Sequence, residues 1–140
     1  MARPKLGPVL AAVPLFEGLS KRQLRQVAAL TEPAHFMVDH SIVREGEPGE
    51  IFYVMLAGQA KVQVNGRTVS RLLPGDHFGE ISLLDGEPRS ASVVTETPVT
   101  LVMIKRTAFM KLLQAEPAIA LGVMGSLARM IRRVDHSLQR

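Results

Sequence analysis

The 140-residue chain contains no cysteine and no tryptophan, and it has one tyrosine. The absence of cysteine excludes a disulfide framework and a thiolate metal site, and it is typical of proteins from reducing compartments. A long apolar run is also missing, because the longest uncharged apolar stretch, residues 117–128, is too short to cross a bilayer. These absences predict a chain without a membrane segment and with a cytoplasmic location.

The N-terminus only partly resembles a secretion signal. Arg3 and Lys5 precede an apolar stretch, but Pro8 and Pro14 interrupt it. A charged amphipathic segment follows directly, without a clear small-residue cleavage site. We therefore expect residues 1–33 to belong to the mature fold as a helical lead-in.

The chain has no block of charge of one sign. Its formal net charge is +4, but the basic residues are scattered along the sequence. Scattered basic residues are typical of a solvated surface. Direct nucleic-acid binding is therefore an alternative that depends on basicity alone, since one Tyr and no Trp are available for base stacking.

The central part of the sequence is a series of short strands between two helical ends. Residues 20–30 have apolar positions at helical spacing behind Ser20, a candidate N-cap. Residues 34–105 alternate strand-like runs with turn residues, and the Asn65-Gly66 pair predicts a type I′ hairpin turn. The predicted fold is mainly β with flanking helices. It is a double-stranded β-helix, or jelly-roll-like β-roll, in a single domain over residues 1–140.

Two helices are predicted after the strands, over residues 106–115 and 117–139, with Pro117 in the first turn of the second. Apolar residues in the second helix recur in alternating steps of four and three, which forms a heptad seam. The seam residues are Ala120, Met124, Leu127, Ile131, Val134 and Leu138. Such a seam predicts contact with a partner helix, in a homodimer or with an output domain. The alternative is that the whole helix packs against its own domain.

The stretch FGEISLLDGEPRSASV, residues 78–93, places charged and polar residues among apolar ones. Gly79 allows close backbone approach, and the following residues predict one or two helical turns whose free N–H groups favour an anion. Arg89 can hold a phosphate through two parallel hydrogen bonds, and Ser90 adds a hydroxyl. The Glu80 carboxylate offers acceptors for a sugar hydroxyl. Each residue alone has an ordinary structural explanation, but their order and spacing indicate a site for phosphate plus ribose.

This stretch closely resembles the phosphate-binding cassette of the cyclic nucleotide-binding domain family, which includes the cyclic-AMP receptor protein, kinase regulatory subunits and gated channels. The resemblance covers most of the chain. VPLFEGLSKRQLRQVA resembles the helical lead-in, IVREGEPGEIFYVMLAGQAKV a strand–turn–strand segment, and LLPGDHFGE the approach to the cassette. The last two helices resemble the B and C helices of the family. The resemblance implies a β-roll that holds a cyclic nucleotide.

Carried over by position, the resemblance implies roles for individual residues. Glu80 would accept a hydrogen bond from the ribose 2′-hydroxyl, and Arg89 would pair with the cyclic phosphate. The other ligand-binding candidates are cassette and base-pocket residues: Gly79, Ile81, Ser82, Ser90, Val62 and Val69. The base lid of the family comes from the last helix, where the candidates are Arg132, Arg133 and Val134. No catalytic residue, metal ligand or cofactor is expected.

The implied function is a non-enzymatic sensor of a cyclic mononucleotide, with cAMP favoured over cGMP, that acts by a population shift. The printed chain ends at Arg140 without a helix-turn-helix domain, so we expect either a stand-alone binder or the truncated sensor half of a transcription regulator. A cupin-like metal enzyme is a further alternative, although the four histidines include no His-x-His pair. The last alternative is a degenerate domain that binds no nucleotide.

Overall fold

The computed structural model describes residues 6–138, and these belong to two compact units. The first unit contains the chain up to Leu30 and the chain from Lys111 onward, and the second runs from Thr31 to Met110. Residues 1–5 and 139–140 of the predicted single domain lie outside the described part, as does the last residue of the predicted helix 117–139.

The first unit is helical. It contains α1 (Leu6–Ala11), a 3-10 turn (Pro14–Phe16), α2 (Lys21–Ala28) and most of the C-terminal helical region. The start of α2 confirms the predicted cap, because the Ser20 hydroxyl accepts from the Gln23 N–H and the Gln23 side chain accepts from the Ser20 N–H. Leu24 and Val27 are buried on one side of this helix, as their spacing predicts.

The C-terminal region forms α4 (Arg106–Ala115) and the long helix α5 (Pro117–Leu138), as predicted. One face of α5 packs against the 3-10 turn of the first unit. Ile119 and Val123 are almost fully buried, and the buried Ser126 hydroxyl accepts from the Gly18 N–H at 2.9 Å. Gly122 permits this close approach, since a methyl group there would lie only 3.1 Å from the Gly18 carbonyl oxygen.

The predicted heptad seam lies beside this buried face. Met124, Ile131 and Val134 are exposed, whereas Ala120 and Leu127 are half-buried. The side chain of Leu138 lies outside the described residues. The packed face of α5 therefore uses Ile119 and Val123, and a large part of the predicted seam stays on the surface of the protomer.

The second unit is built from eight strands in two antiparallel sheets. The strands are β1 (Glu32–Phe36), β2 (Ser41–Val43), β3 (Ile51–Ala57), β4 (Ala60–Val64), β5 (Arg67–Leu72), β6 (His77–Phe78), β7 (Ser92–Thr95) and β8 (Val99–Lys105). One sheet has the order β1-β8-β3-β6 and the other the order β2-β7-β4-β5. Both sheets contribute to one core, formed by Val43, Tyr53, Met55, Ala60, Val93, Val99 and Leu101. This arrangement confirms the mainly β prediction with a jelly-roll-like roll.

The β4–β5 connection confirms the predicted hairpin. Asn65 and Gly66 have φ values of 50° and 77°, the left-handed conformation that a type I′ turn requires at both central positions. β1 begins at Glu32, slightly earlier than the predicted start at Ala34.

The strand at the end of the cassette, β7, begins at Ser92, so Arg89 precedes it. The backbone of Arg89 pairs with a turn instead of a neighbouring strand. Its N–H donates to the carbonyl of Glu47 at 2.8 Å, and its own carbonyl accepts from the N–H of Gly46 at 2.8 Å. Arg89 is therefore held in an irregular link that the alternating sequence pattern does not reveal.

The cassette contains one short helix, α3 (Ser82–Asp85). It ends at Gly86, whose φ of 66° allows its N–H to donate back to the Ser82 carbonyl at 3.0 Å. The observed length confirms the prediction of one or two helical turns in the cassette. Over residues 6–138, no helix combines the length and apolar character needed to cross a membrane.

Candidate functional site

A cavity of about 410 Å³ lies in the second unit, between the cassette and the strands behind it. Its wall includes residues from both halves of the cassette and from four strands, β2, β4, β6 and β7. These residues are Val43, Val62, His77, Phe78, Gly79, Glu80, Ile81, Ser82, Asp85, Glu87, Pro88, Arg89, Ser90, Ala91 and Val93. The fold therefore brings seven of the eight predicted ligand-binding residues to one cavity, Val69 being the exception.

Gly79 shapes the cavity wall at its tightest point. Its φ of 84° lies in the left-handed region, which a side chain would make costly. A methyl group at this position would collide with the Arg89 guanidinium and would lie 2.9 Å from the carbonyl oxygen of Ile51. Glycine is thus required both by the backbone conformation and by the close approach of Arg89.

Arg89 is a buried cation, and only 9% of it is exposed. Its Nη2 donates to the carbonyl oxygen of Ile51, and its guanidinium carbon lies 5.7 Å from the ring centroid of Tyr53. Burial lowers the pKa of Arg89 below its ordinary value, with the nearby Tyr53 acting in the opposite direction. The guanidinium nevertheless stays charged, because arginine is not deprotonated in proteins.

The Nε of Arg89 is buried without a hydrogen-bond partner among the described residues. A buried charged donor without a partner is costly, so an incoming acceptor would be stabilised there. Tyr53 supports the guanidinium from one side and stacks on Phe78, with ring centroids 4.6 Å apart. Sequence reasoning missed Tyr53, because nothing local to β3 indicates which cassette residue its ring will meet.

Glu80 contributes a second polar atom that lacks a partner. Its Oε2 is buried without a hydrogen bond in the described part of the chain, and it lies 4.0 Å from Nδ1 of His77. His77 itself lines the cavity and lies beside the Phe52 ring, with centroids 5.7 Å apart. His77 was not among the predicted site residues, although its position three residues before Glu80 placed it close by.

The remaining cassette residues form the wall around these two groups. Leu83 is fully buried and anchors α3, while Ile81 and Ser82 line the cavity. Ser90 also lines the cavity, directly after Arg89. At the far end of α3, Arg106 donates from Nη2 to the Leu84 carbonyl at 2.9 Å. This contact ties the cassette helix to the first residue of α4.

Val62 and Val69, the predicted base-pocket pair, lie in different places. Val62 lines the cavity, but Val69 is 60% exposed and does not. The cause is a register shift: Val62 pairs with Ser70 and the next residue, Gln63, pairs with Thr68. Val69 is thus the extra residue of a β-bulge. Because the bulge interrupts the alternation of β5, the side chain of Val69 is exposed and does not line the cavity.

The lid candidates Arg132, Arg133 and Val134 are exposed residues of α5 in the first unit. Arg133 lies 3.5 Å from Glu17. Their role toward a bound base remains a prediction. Within residues 6–138, no three His, Cys, Asp or Glu residues are grouped so that they could hold a metal ion.

Known proteins are similar to this chain in sequence and in fold. The family profile described as the cyclic nucleotide-binding domain matches residues 33–116. The CRP-like cAMP-activated global transcriptional regulator of Mycobacterium tuberculosis is 30% identical over 135 residues, which are 93% of this chain and 60% of that protein. The cGMP-dependent protein kinase of Toxoplasma gondii is 38% identical over 97 residues, which are 69% of this chain and 10% of the kinase.

A solved structure is also similar. The N-terminal domain of a transcriptional regulator from Streptomyces coelicolor A3(2) has a TM-score of 0.84 at 27% identity, covering 91% of this chain and 95% of that domain. The chain thus corresponds to one solved domain and to only part of the curated relatives. Because the family profile matches more than half of the residues, the chain belongs to the cyclic nucleotide-binding domain family.

Proposed function

We propose that this chain is a regulatory domain, not an enzyme, that binds a cyclic mononucleotide in the cavity beside the cassette. The observation that carries the proposal is the convergence of Arg89 and Glu80 on one cavity, each with a buried polar atom that has no hydrogen-bond partner within residues 6–138. A cavity of about 410 Å³ lies in the size range of small-ligand sites, which is about 300–1,000 Å³. The opposite charges of the two residues suit an anionic phosphate and a sugar hydroxyl.

The proposed roles follow from the chemistry of the wall. Arg89 pairs with the cyclic phosphate, with Gly79 leaving room for the guanidinium. Glu80 accepts a hydrogen bond from the ribose 2′-hydroxyl, for which a carboxylate is well suited. The backbone around Ser82 and Ser90 completes the cradle.

The apolar part of the wall would receive the base. Val62 lies on this part, together with Val43 and Val93. Val69 would reach the base only if the β5 bulge moves, so we assign it no primary role. The lid over the base is proposed to come from α5, through Arg132, Arg133 or Val134.

The preferred ligand is proposed to be cAMP. The mycobacterial relative is named as cAMP-activated, but a second relative is a cGMP-dependent kinase. Ser90 does not decide between them, because a hydroxyl after the cassette arginine suits both ligands.

Competition of cAMP, cGMP, 5′-AMP and a cyclic dinucleotide against a fluorescent cyclic-nucleotide analogue tests this proposal. We expect cAMP to displace the analogue best and 5′-AMP to displace it poorly. If no cyclic mononucleotide binds or raises the melting temperature, the degenerate-domain alternative holds instead.

The output is proposed to pass through α5 to a second copy of the chain or to an output domain. The surface-exposed seam residues Met124, Ile131 and Val134 support a partner contact, since exposed apolar side chains at this spacing are typical of helix pairing. Analytical ultracentrifugation of the parent, Ile131→Glu and the control Ser137→Glu tests it. We expect a dimer that only Ile131→Glu dissociates; a parent that stays monomeric with and without ligand contradicts a homodimer.

A second candidate is the sensory part of a transcription regulator. Two similarities favour it: the mycobacterial relative and the Streptomyces domain are both from transcriptional regulators. Chromatin immunoprecipitation of the protein expressed from its own locus tests this, with enrichment of defined promoters expected. A cytoplasmic location stays a prediction of the sequence.

A further inference from the structure

His77 and Glu80 lie next to each other in the cavity wall but are not hydrogen-bonded to each other. The Nδ1 of His77 and the Oε2 of Glu80 are both buried, and neither has a hydrogen-bond partner among the described residues. They lie 4.0 Å apart, which is longer than a hydrogen bond. A hydrogen bond between them needs a proton on Nδ1. A neutral imidazole can carry its proton on either ring nitrogen, whereas a protonated imidazole always has one on Nδ1.

The two oxygens of Glu80 have different surroundings. Oε2 is the oxygen that is buried beside His77, which leaves Oε1 for the ligand in the proposed site. A buried carboxylate oxygen without a donor is costly, and a donor at Nδ1 would remove that cost without occupying the oxygen left for the ligand. A proton on Nδ1 would therefore fix the carboxylate in its ligand-binding orientation.

We propose that His77 is a positioning residue for Glu80 and makes cyclic-nucleotide affinity increase as its imidazole becomes protonated. The inference rests on the proposed function, because it assigns Glu80 to the ligand. Protonation turns Nδ1 into a charged donor to Oε2, and a small movement would close the gap to hydrogen-bond length. Histidine is the side chain that ordinarily changes charge between about pH 5 and pH 8.

The strand paired with His77, β3, contains no Lys, Arg or His that could change the charge state of the imidazole. β3 pairs with β6 opposite His77 at Val54, and the Phe52 ring lies against the imidazole. The other charged groups of the cavity wall are Asp85, Glu87 and Arg89. A His77→Asn variant separates the effect of His77 from that of these groups, because it changes only the side chain at position 77.

The test measures cAMP affinity by titration calorimetry at several pH values from 8 to 5.5, in the parent and in two His77 variants. His77→Phe removes the donor but retains a ring beside Phe52. His77→Asn supplies an amide N–H close to the place of Nδ1 at every pH. The control is His35→Phe on β1, whose imidazole Nδ1 lies 3.0 Å from the Thr100 hydroxyl and does not line the cavity.

We expect the affinity of the parent and of His35→Phe to rise about three- to tenfold from pH 8 to pH 5.5, the effect of one hydrogen bond. The affinity of His77→Phe should stay near that of the parent at pH 8, and the affinity of His77→Asn near that of the parent at pH 5.5. Both affinities should be nearly independent of pH. A parent that binds with no pH dependence, or a His77→Phe variant that keeps the parent's profile, overturns the inference alone. Absence of cAMP and cGMP binding at every pH overturns the proposed function, and this inference with it.

Discussion

Replacing Arg89 by alanine is the sharpest test of the proposed site. The side chain is buried in the cavity wall, and its Nη2 donates to the Ile51 carbonyl, whereas its Nε has no hydrogen-bond partner in the described part of the chain. A bound phosphate would give this cation its compensating charge. Truncating one partner of such a buried, charge-assisted contact ordinarily costs about 2–4 kcal/mol.

That cost corresponds to a loss of affinity of about thirty-fold to nearly a thousand-fold. The unliganded protein should be less affected, because two effects of the substitution oppose each other. Removing the cation removes the desolvation penalty that lowers the pKa of Arg89, but it leaves the Ile51 carbonyl without its donor. An orphaned buried carbonyl costs about 1–3 kcal/mol, so a modest decrease in melting temperature is expected.

Titration calorimetry with cAMP on the parent, Arg89→Ala and Arg89→Lys gives the comparison. Lysine keeps the charge but cannot form two parallel hydrogen bonds, so we expect Arg89→Lys to bind with intermediate affinity. Arg44→Ala is the control, since Arg44 is an exposed arginine that lies 3.8 Å from Glu47 and outside the cavity wall. The single tyrosine, Tyr53, lies beside Arg89 and gives an independent fluorescence signal of binding.

A folded Arg89→Ala protein that binds cAMP within about threefold of the parent would refute the assigned role. Circular dichroism and the melting temperature establish that the variant is folded. Equal losses in Arg89→Ala and Arg44→Ala would instead indicate a general electrostatic effect.

Three further predictions concern the glycine of the cassette, a surface ion pair and the long helix. Gly79→Ala should weaken cAMP binding at least tenfold in calorimetry, because its positive φ and the crowding against the guanidinium both oppose a side chain; unchanged affinity would contradict that crowding. The pKa of Glu96 is lowered by its hydrogen bond to Gln59 and by Arg71, so its stabilising contribution is present at neutral pH and is lost as the pH falls below the ordinary value of about 4.3. Thermal melts at pH 7 and pH 3 should therefore show a larger loss for the parent than for Glu96→Gln, and equal losses would contradict this role of Glu96. Ser126→Ala removes the acceptor of a backbone N–H and should lower the free energy of unfolding by about 1–3 kcal/mol in denaturant titration, and a change below about 0.5 kcal/mol would argue against that hydrogen bond.

Features that depend on neighbouring residues were predictable from the sequence. The N-cap at Ser20 and the hairpin turn at Asn65-Gly66 form as predicted, because each is decided by a few adjacent side chains. Nearly all strand residues of the second unit lie within the predicted range 34–105, and α3 ends at Asp85, directly before Gly86. The order of residues in the cassette was enough to identify the family, although Arg89 lies in a link and not in a strand.

The packing of α5 shows where such reasoning stops. The sequence contains two apolar stripes on this helix, and either could meet the core. The structure buries Ile119 and Val123 and leaves Ile131 exposed, because Gly122 allows close approach to Gly18 on that side. The buried face of α5 is therefore decided by the complementary shapes of two segments that are distant in the sequence, the loop at Gly18 and the helix at Gly122.

The sequence by itself determined the strands, the turns, the helix ends and the chemical identity of the cassette, since all of these depend on interactions within a few residues. The tertiary structure alone decided which side chains share the cavity. It excluded Val69 through a bulge in β5, placed Tyr53 beside Arg89 and brought His77 within 4.0 Å of Glu80. These placements depend on the register of the strands and on the path of the loops between them. The register of a sheet is set by all of its paired strands together, and the sequence of one strand does not determine it.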